Sequence, residues 1–323
     1  MNMTPTASRF NHIVAFEVCK AELVVHTLPA DRQQTIKNAP ATVRRLLKRE
    51  ADRNTKHGLG QLLVVCEATG GYERHVLEAA AERGLCIHRA HGSRTRMFAR
   101  FNGHKAKTDK IDARLIAQYG RIGNLPLYTP PSPEQEALRQ LRRRRDEIQH
   151  MLRMELNRME HASLKRLRTS LVRHKAWLTD ELDALEKDIA QLIANTPELE
   201  RKATLMRSVI GVGTKTAAAI LAYLPEIGTL SKPTVAAISG LAPIANDSGQ
   251  HNGKRHIAGG RAALRASLYM AALVARYRNP KLRAFADQLR QRGKPNKLIL
   301  TAVMRKLIVI LNAVVASNQP ARA

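Results

Sequence analysis

An α/β domain, a long helical arm and a mainly α-helical remainder are what this sequence predicts, on three observations. Short apolar runs alternate with helical patterns through residues 1–128; a Pro-rich break then opens about 60 residues without Pro or Gly; and residues 201–323 show helical periodicity with no convincing strand. The expected domains are therefore 1–128, 129–200 (the arm) and 201–323.

In the first domain, HIVAFEVC (12–19) and ELVVHTL (22–28) read as two strands joined at Lys20 and Ala21, with QQTIKN (33–38) as a short third. A helical pattern from Thr42 to Glu50 follows. LLVVCEA (62–68) has the continuous apolar character of a strand covered on both faces, and Gly70-Gly71 ends it. A helix is expected over 72–83, a fifth strand at CIHRA (86–90), and another helix from Asp109. Three consecutive strands, then alternating helix and strand, is the order of a ribonuclease-H-like domain, though other α/β folds share pieces of it. LYTPPSPEQ (127–135) marks the boundary. Beyond it, Leu171, Leu178, Leu182, Leu185, Ile189 and Leu192 follow a coiled-coil spacing, and two long helices bending near 162–169 are expected. The basic run through Arg142–Arg145 is either a solvated face or the phosphate-facing side of a dimerising arm.

Charge narrows the function. Fifty-four Lys and Arg against 27 Asp and Glu leave +27, a self-repulsion that a polyanionic partner relieves. Nucleic acid leads; an anionic membrane is the lesser candidate. MNMTPTASRFNH has no apolar signal core, and Arg305 and Lys306 interrupt the longest apolar stretch, 298–316, so no membrane association is expected. With aromatics at 4%, base stacking cannot dominate, and backbone electrostatics carry the affinity. Cys19, Cys66 and Cys86, without a CxxC pair, predict a reduced cytoplasmic protein with no zinc site, Cys19 and Cys66 lying in the core.

Four carboxylates are candidates for metal binding. Glu17 sits in an otherwise apolar strand, where a charge is costly unless paired, metal-bound or turned to solvent. Glu67 closes the central strand. Asp109 and Asp112, three apart in KTDKIDAR, share one helix face and repel each other unless a cation lies between them. Mg²⁺ takes such oxygen ligands, and two ions can clamp both oxygens of a phosphodiester exchange. Equally, Asp109 suits an N-cap and Asp112 a first helical turn.

Further along, Gly211-Val212-Gly213 before Lys215 resembles a helix-hairpin-helix turn that offers backbone N–H groups to phosphate, or else a tight packed connection. Ser248-Gly249 lies in a polar loop beside Lys254, Arg255, His256 and Arg261. That is ordinary turn chemistry, or a nucleophile whose neighbours hold a scissile phosphate.

The order Glu17, CEATGGYE, KTDKIDAR, then GVGTKTAAAILAYL, GLAP, SG, GKRHIAGGR and LRASLYMAAL resembles the DEDD transposases of the insertion-sequence one-ten family, relatives of the Piv DNA invertases, over residues 11–316. The resemblance implies a RuvC-like first domain, a coiled-coil arm and a transposase domain. It implies a serine recombinase acting on donor and target double-stranded DNA, guided by a structured bridge RNA. Glu17, Glu67, Asp109 and Asp112 would hold Mg²⁺ or Mn²⁺, and Ser248 would join covalently to a 5′ phosphate in a composite site of a dimer or tetramer associated with the nucleoid. One departure stands out: the family's first acid is Asp, and here it is Glu17, one methylene longer. A junction nuclease using only the acids, or a catalytically impaired nucleic-acid-binding homologue, are the alternatives.

Overall fold

The computed structural model describes residues 10–103, 109–122, 125–245, 247–248, 251–253 and 255–321. Two compact units divide at Pro130 and Pro131. The helical arm belongs to the second unit, together with the C-terminal helices.

The first unit runs β1 (His12–Val18), β2 (Glu22–Leu28), β3 (Arg32–Lys37), α1 (Pro40–Lys56), β4 (Leu62–Glu67), α2 (Arg74–Ala81), β5 (Cys86–Ala90), α3 (Gly92–Phe101) and α4 (Asp109–Gly120). The sheet order is β3-β2-β1-β4-β5, with β1, β2 and β3 antiparallel and β1, β4 and β5 parallel. This is the ribonuclease-H-like arrangement expected from the strand order. Alternation sorts the two faces. Val14, Phe16, Val64 and Cys66 pack with Val43 and Leu47 of α1 and Val76 and Ala80 of α2. Ile13, Ala15, Leu63 and Val65 pack instead with Ile116, Ala117 and Tyr119 of α4. A Cβ on Gly120 would lie 3.0 Å from Val65 and 3.1 Å from Ile13, so α4 sits close on the sheet there. Helix α1 starts at Pro40, a favoured first-turn residue, and is longer than the periodicity indicated. Helix α3 was not expected at all. Cys66 is fully buried, whereas Cys19 is only half-buried.

The second unit opens with α5 (Pro133–His161) and α6 (Lys165–Ala194). Arg145 meets Glu186 at 2.7 Å and Glu155 meets His174 at 3.2 Å, a pairing that makes the two helices antiparallel. Leu178, Leu182 and Leu185 bury against Ile148 along the seam. Then come α7 (Pro197–Arg207), α8 (Thr214–Tyr223), α9 (Lys232–Ile238), four two-residue strands, and α10 (Ala262–Arg278), α11 (Pro280–Gln291) and α12 (Asn296–Ser317). The strands are β6 (Pro243–Ile244), β7 (Asp247–Ser248), β8 (His251–Asn252) and β9 (His256–Ile257), pairing β6 with β9 and β7 with β8. They correct the expectation of a strand-free C-terminal part; at two residues each, they carry no periodic signal.

Among the described residues only α12 is long and apolar enough to cross a membrane. Its Ile299, Val303, Leu307 and Leu311 are fully buried in the helical core, while Arg305 and Lys306 are exposed. The same helix carries a buried amide: Asn312 accepts from the Gly228 N–H (2.9 Å) and donates to the Leu230 carbonyl (2.8 Å). Replacing it leaves two backbone groups unpaired in an apolar setting. Asn312→Leu is expected to lower stability by about 2–4 kcal/mol, read as a lower denaturant midpoint with an unchanged slope.

Candidate functional site

Register puts the first two acids together. Phe16 pairs with Cys66 in the parallel β1–β4 ladder, so the next step sets Glu17 beside Glu67. Both follow the odd-numbered residues that face α4, on strands about 4.8 Å apart. Both are half-buried. The Thr95 hydroxyl lies 3.2 Å from Glu67 Oε2, and a Cβ on Gly92 would stand 2.1 Å from Glu67 Oε1. Gly92 leaves room for the carboxylate against the first turn of α3, whose N-terminal partial charge is positive. Asp112 lies half-buried in the first turns of α4. Asp109 opens that helix, with its side chain outside the described residues. Among the described residues no three His, Cys, Asp or Glu gather closely enough to hold a metal ion. The donors that do come together, Glu17 and Glu67, are all-oxygen and suit a hard cation.

A residue that sequence reasoning passed over fixes the loop behind Glu67. Glu73 is 2% exposed. It accepts from the Thr69 N–H (3.2 Å), the Thr69 hydroxyl (3.1 Å), the Gly71 N–H (2.8 Å) and Arg89 Nε (3.0 Å), with a second, short bond from the Arg89 guanidinium. Burial pushes its carboxyl up, but its own N–H, Arg89 and the Gly71 N–H outweigh this and hold it at about 2. The available signal was the final acid of CEATGGYE, placed where a chain reversal through Gly70 and Gly71 needs an acceptor.

In the second unit, the loop bearing Ser248 is pinched at its neck. Gly240 and Gly260 both have positive φ, and a Cβ on Gly260 would lie 2.2 Å from the Gly240 nitrogen. The Arg261 N–H donates to the Ile238 carbonyl (2.7 Å), and its guanidinium grips both oxygens of Glu226 (2.8 and 2.7 Å) and the Tyr223 carbonyl (2.8 Å). Arg261, expected to contact phosphate, thus anchors the loop to the end of α8. Ser248 falls in β7 with its side chain outside the described residues, as is all of Lys254. Arg255 is exposed, 3.8 Å from Asp247.

The glycine turn divides likewise. Gly211, at φ +102°, lies against α10, where a Cβ would approach Ala275 Cβ to 2.6 Å, so packing explains it. Gly213 caps α8 with open space about it. Lys215 is 71% exposed and bridges to Glu186 at 2.6 Å. Burial raises the Glu186 carboxyl, and Lys215 and Arg145 together draw it below the usual range.

Two outcomes follow. Gly260→Ala forces side chain into backbone and is expected to cost about 2–4 kcal/mol, with limited proteolysis cutting within 240–260 before elsewhere. Glu73 stabilises the fold fully above its unfolded value of 4.5, and that contribution drains away as pH falls toward 2. Glu73→Gln is expected to lower stability at neutral pH by about 3 kcal/mol, and to flatten the acid limb of a Tm-against-pH curve.

Residues 24–169 match the IS110 DEDD transposase family, and residues 203–287 match the transposase IS116/IS110/IS902 family. The first match begins after β1, leaving Glu17 outside it. The chain is 33% identical over 265 residues to the pilin gene-inverting protein of Moraxella lacunata, covering 80% of this chain and 81% of the relative. The Moraxella bovis pilin gene-inverting protein gives the same identity and coverage. An uncharacterized 43.6 kDa protein of insertion element IS110 from Streptomyces coelicolor is 32% identical over 134 residues, 40% of this chain and 32% of its own length. The chain belongs to the IS110 family of transposases, enzymes that recombine DNA.

Proposed function

We propose that this enzyme exchanges DNA strands through a covalent serine intermediate, using Glu17, Glu67, Asp109 and Asp112 to hold Mg²⁺ or Mn²⁺ and Ser248 as nucleophile. The observation that carries the metal half is the pair Glu17 and Glu67, side by side on one face of adjacent parallel strands. Two neighbouring carboxylates are costly without a cation. The ion, when bound, offsets charge developing on the phosphate oxygens. The serine half rests on the family resemblance, and the matched region 203–287 spans Ser248.

The exchange conserves bonds. Ser248 Oγ bonds to the scissile phosphorus as the bond to the DNA 3′ oxygen breaks. The serine proton passes to solvent and the departing 3′ oxygen takes one up. A second 3′ hydroxyl then attacks the phosphoserine, restoring the serine and closing a new phosphodiester without hydrolysis. Arg255 and Lys254, which follow the serine in sequence, are the proposed partners for the phosphate, while Gly213 and Lys215 offer a second backbone contact.

A structured bridge RNA guides the pairing with donor and target DNA, as the resemblance implies, and the surplus of +27 suits a protein binding two nucleic acids. Dimers or tetramers form a composite site through the arm. Leu164, Leu167, Val172 and Trp177, all exposed on or beside α6, support that reading.

The test mixes protein, RNA and cognate DNA with Mg²⁺ and denatures the mixture. A protein–DNA adduct is expected from the wild type and none from Ser248→Ala, while Glu67→Gln lowers strand exchange at least ~100-fold. Cleavage surviving Ser248→Ala would make this a junction nuclease. A silent wild type revived by Glu17→Asp would make it an impaired homologue.

A further inference from the structure

The second unit contains a cavity of about 820 Å³ between the β6–β9 ladder, the start of α9, α11 and the outer face of α12. Its walls are uneven in chemistry. Leu241, Ile257, Phe285, Leu298 and Val309 supply an apolar floor, and Lys232, Arg255, Lys297, Arg305 and Lys306 stand around it. Among the described residues no carboxylate lines it. Lys232, Lys297 and Arg305 form no ion pair among the described residues. The Lys306 ammonium lies 4.2 Å over the Phe285 ring. One wall comes from the loop that carries Ser248, through Pro243, Arg255, His256 and Ile257.

An occupant must then be apolar and flat enough for the floor, and anionic where it meets the rim. A volume within the ~300–1,000 Å³ range of enclosed ligand sites admits about one or two nucleotides and excludes a duplex. An aliphatic protein segment would satisfy the floor, but it would leave Lys232, Lys297 and Arg305 without counter-charge.

We propose that this cavity is a subsite for an unpaired nucleotide of a nucleic-acid strand. Its base lies on Phe285 and Leu298, and its flanking phosphates meet Lys232, Lys297 and Arg305. The base takes the ring face that the Lys306 ammonium covers in the free protein, and releases that ammonium to a phosphate. The subsite rests on the reading of the chain as a nucleic-acid enzyme and adds a contact to a base, where the charge surplus alone implies contacts to backbone. It needs no duplex distortion, because loops, flaps and strand ends supply bases already unstacked.

Fluorescence anisotropy with the full chain, in EDTA, tests this using short labelled oligothymidylate, oligouridylate and an abasic DNA oligomer of equal length and charge. Oligothymidylate or oligouridylate is expected to bind about tenfold more tightly than the abasic strand, the effect of one stacked base; the tighter of the two names the strand. Leu298→Gln and Phe285→Leu should each erase that advantage and leave abasic binding unchanged, with thermal unfolding of Leu298→Gln matching the wild type. Equal binding of abasic and normal strands by the wild type overturns the subsite, and so does a variant that weakens both alike. If Leu298→Gln instead reduces the sedimenting species in size while oligomer binding stays the same, the cavity seats a second copy and the proposal fails. Neither divalent ion nor strand cleavage enters the assay, so its outcome is separable from that of the Ser248 adduct.

Discussion

Two acids side by side on neighbouring parallel strands, which lie about 4.8 Å apart, and facing the same way, are the constraint that shapes the first unit's candidate site. The register that pairs Phe16 with Cys66 leaves Glu17 and Glu67 no other relation. Repulsion between them grows as solvent is removed, and both are half-buried. The surroundings of Glu67 make the arrangement tolerable. Gly92 yields its side-chain space to Glu67, the start of α3 brings a positive helix end, and Thr95 reaches a carboxylate oxygen at 3.2 Å. Glu73 and Arg89 then lock the loop beyond, so that Glu67 cannot swing away with a flexible turn. Two half-buried acids held beside a rigid second layer are what the proposed cation site requires.

The second unit solves a different problem. A loop of some twenty residues, with only two-residue strands among its described residues, needs its ends fixed. Gly240 and Gly260 meet backbone to backbone, an approach that any side chain would block, and Arg261 ties the junction to Glu226 and to the end of α8. The cations of this region therefore separate by task. Arg261 is paired with Glu226, Lys215 is balanced by Glu186, and Lys232, Lys297 and Arg305 around the neighbouring cavity form no ion pair among the described residues.

The strands were readable because short apolar runs between turn residues are a strong signal: ELVVHTL and CIHRA predicted β2 and β5 to the residue. The helical hairpin was readable from uninterrupted helix formers and a leucine seam, since Leu171, Leu178, Leu182 and Leu185 are all buried. Helix α3 was missed because GSRTRMFARF lacks a clear apolar stripe and buries only Thr95. Glu73 and the glycine neck were missed for a related reason. Their roles lie in contacts across 16 and 20 residues of chain, and local periodicity carries no record of such contacts. The bond from Arg261 to Glu226 was not legible, because an arginine beside a serine loop looks the same in sequence whether its partner is a phosphate or a carboxylate. The acids were legible as candidates, and their adjacency was not. Only the parallel register between β1 and β4 reveals it.

The central claim is that the adjacency of Glu17 and Glu67 creates a cation site. Titrating Mn²⁺ into the full chain and following free ion by electron paramagnetic resonance tests it without nucleic acid. Saturable binding by the wild type is predicted, weakened at least ~tenfold in Glu67→Gln and in Glu17→Gln. Unchanged Mn²⁺ affinity in the doubly substituted chain would contradict the account.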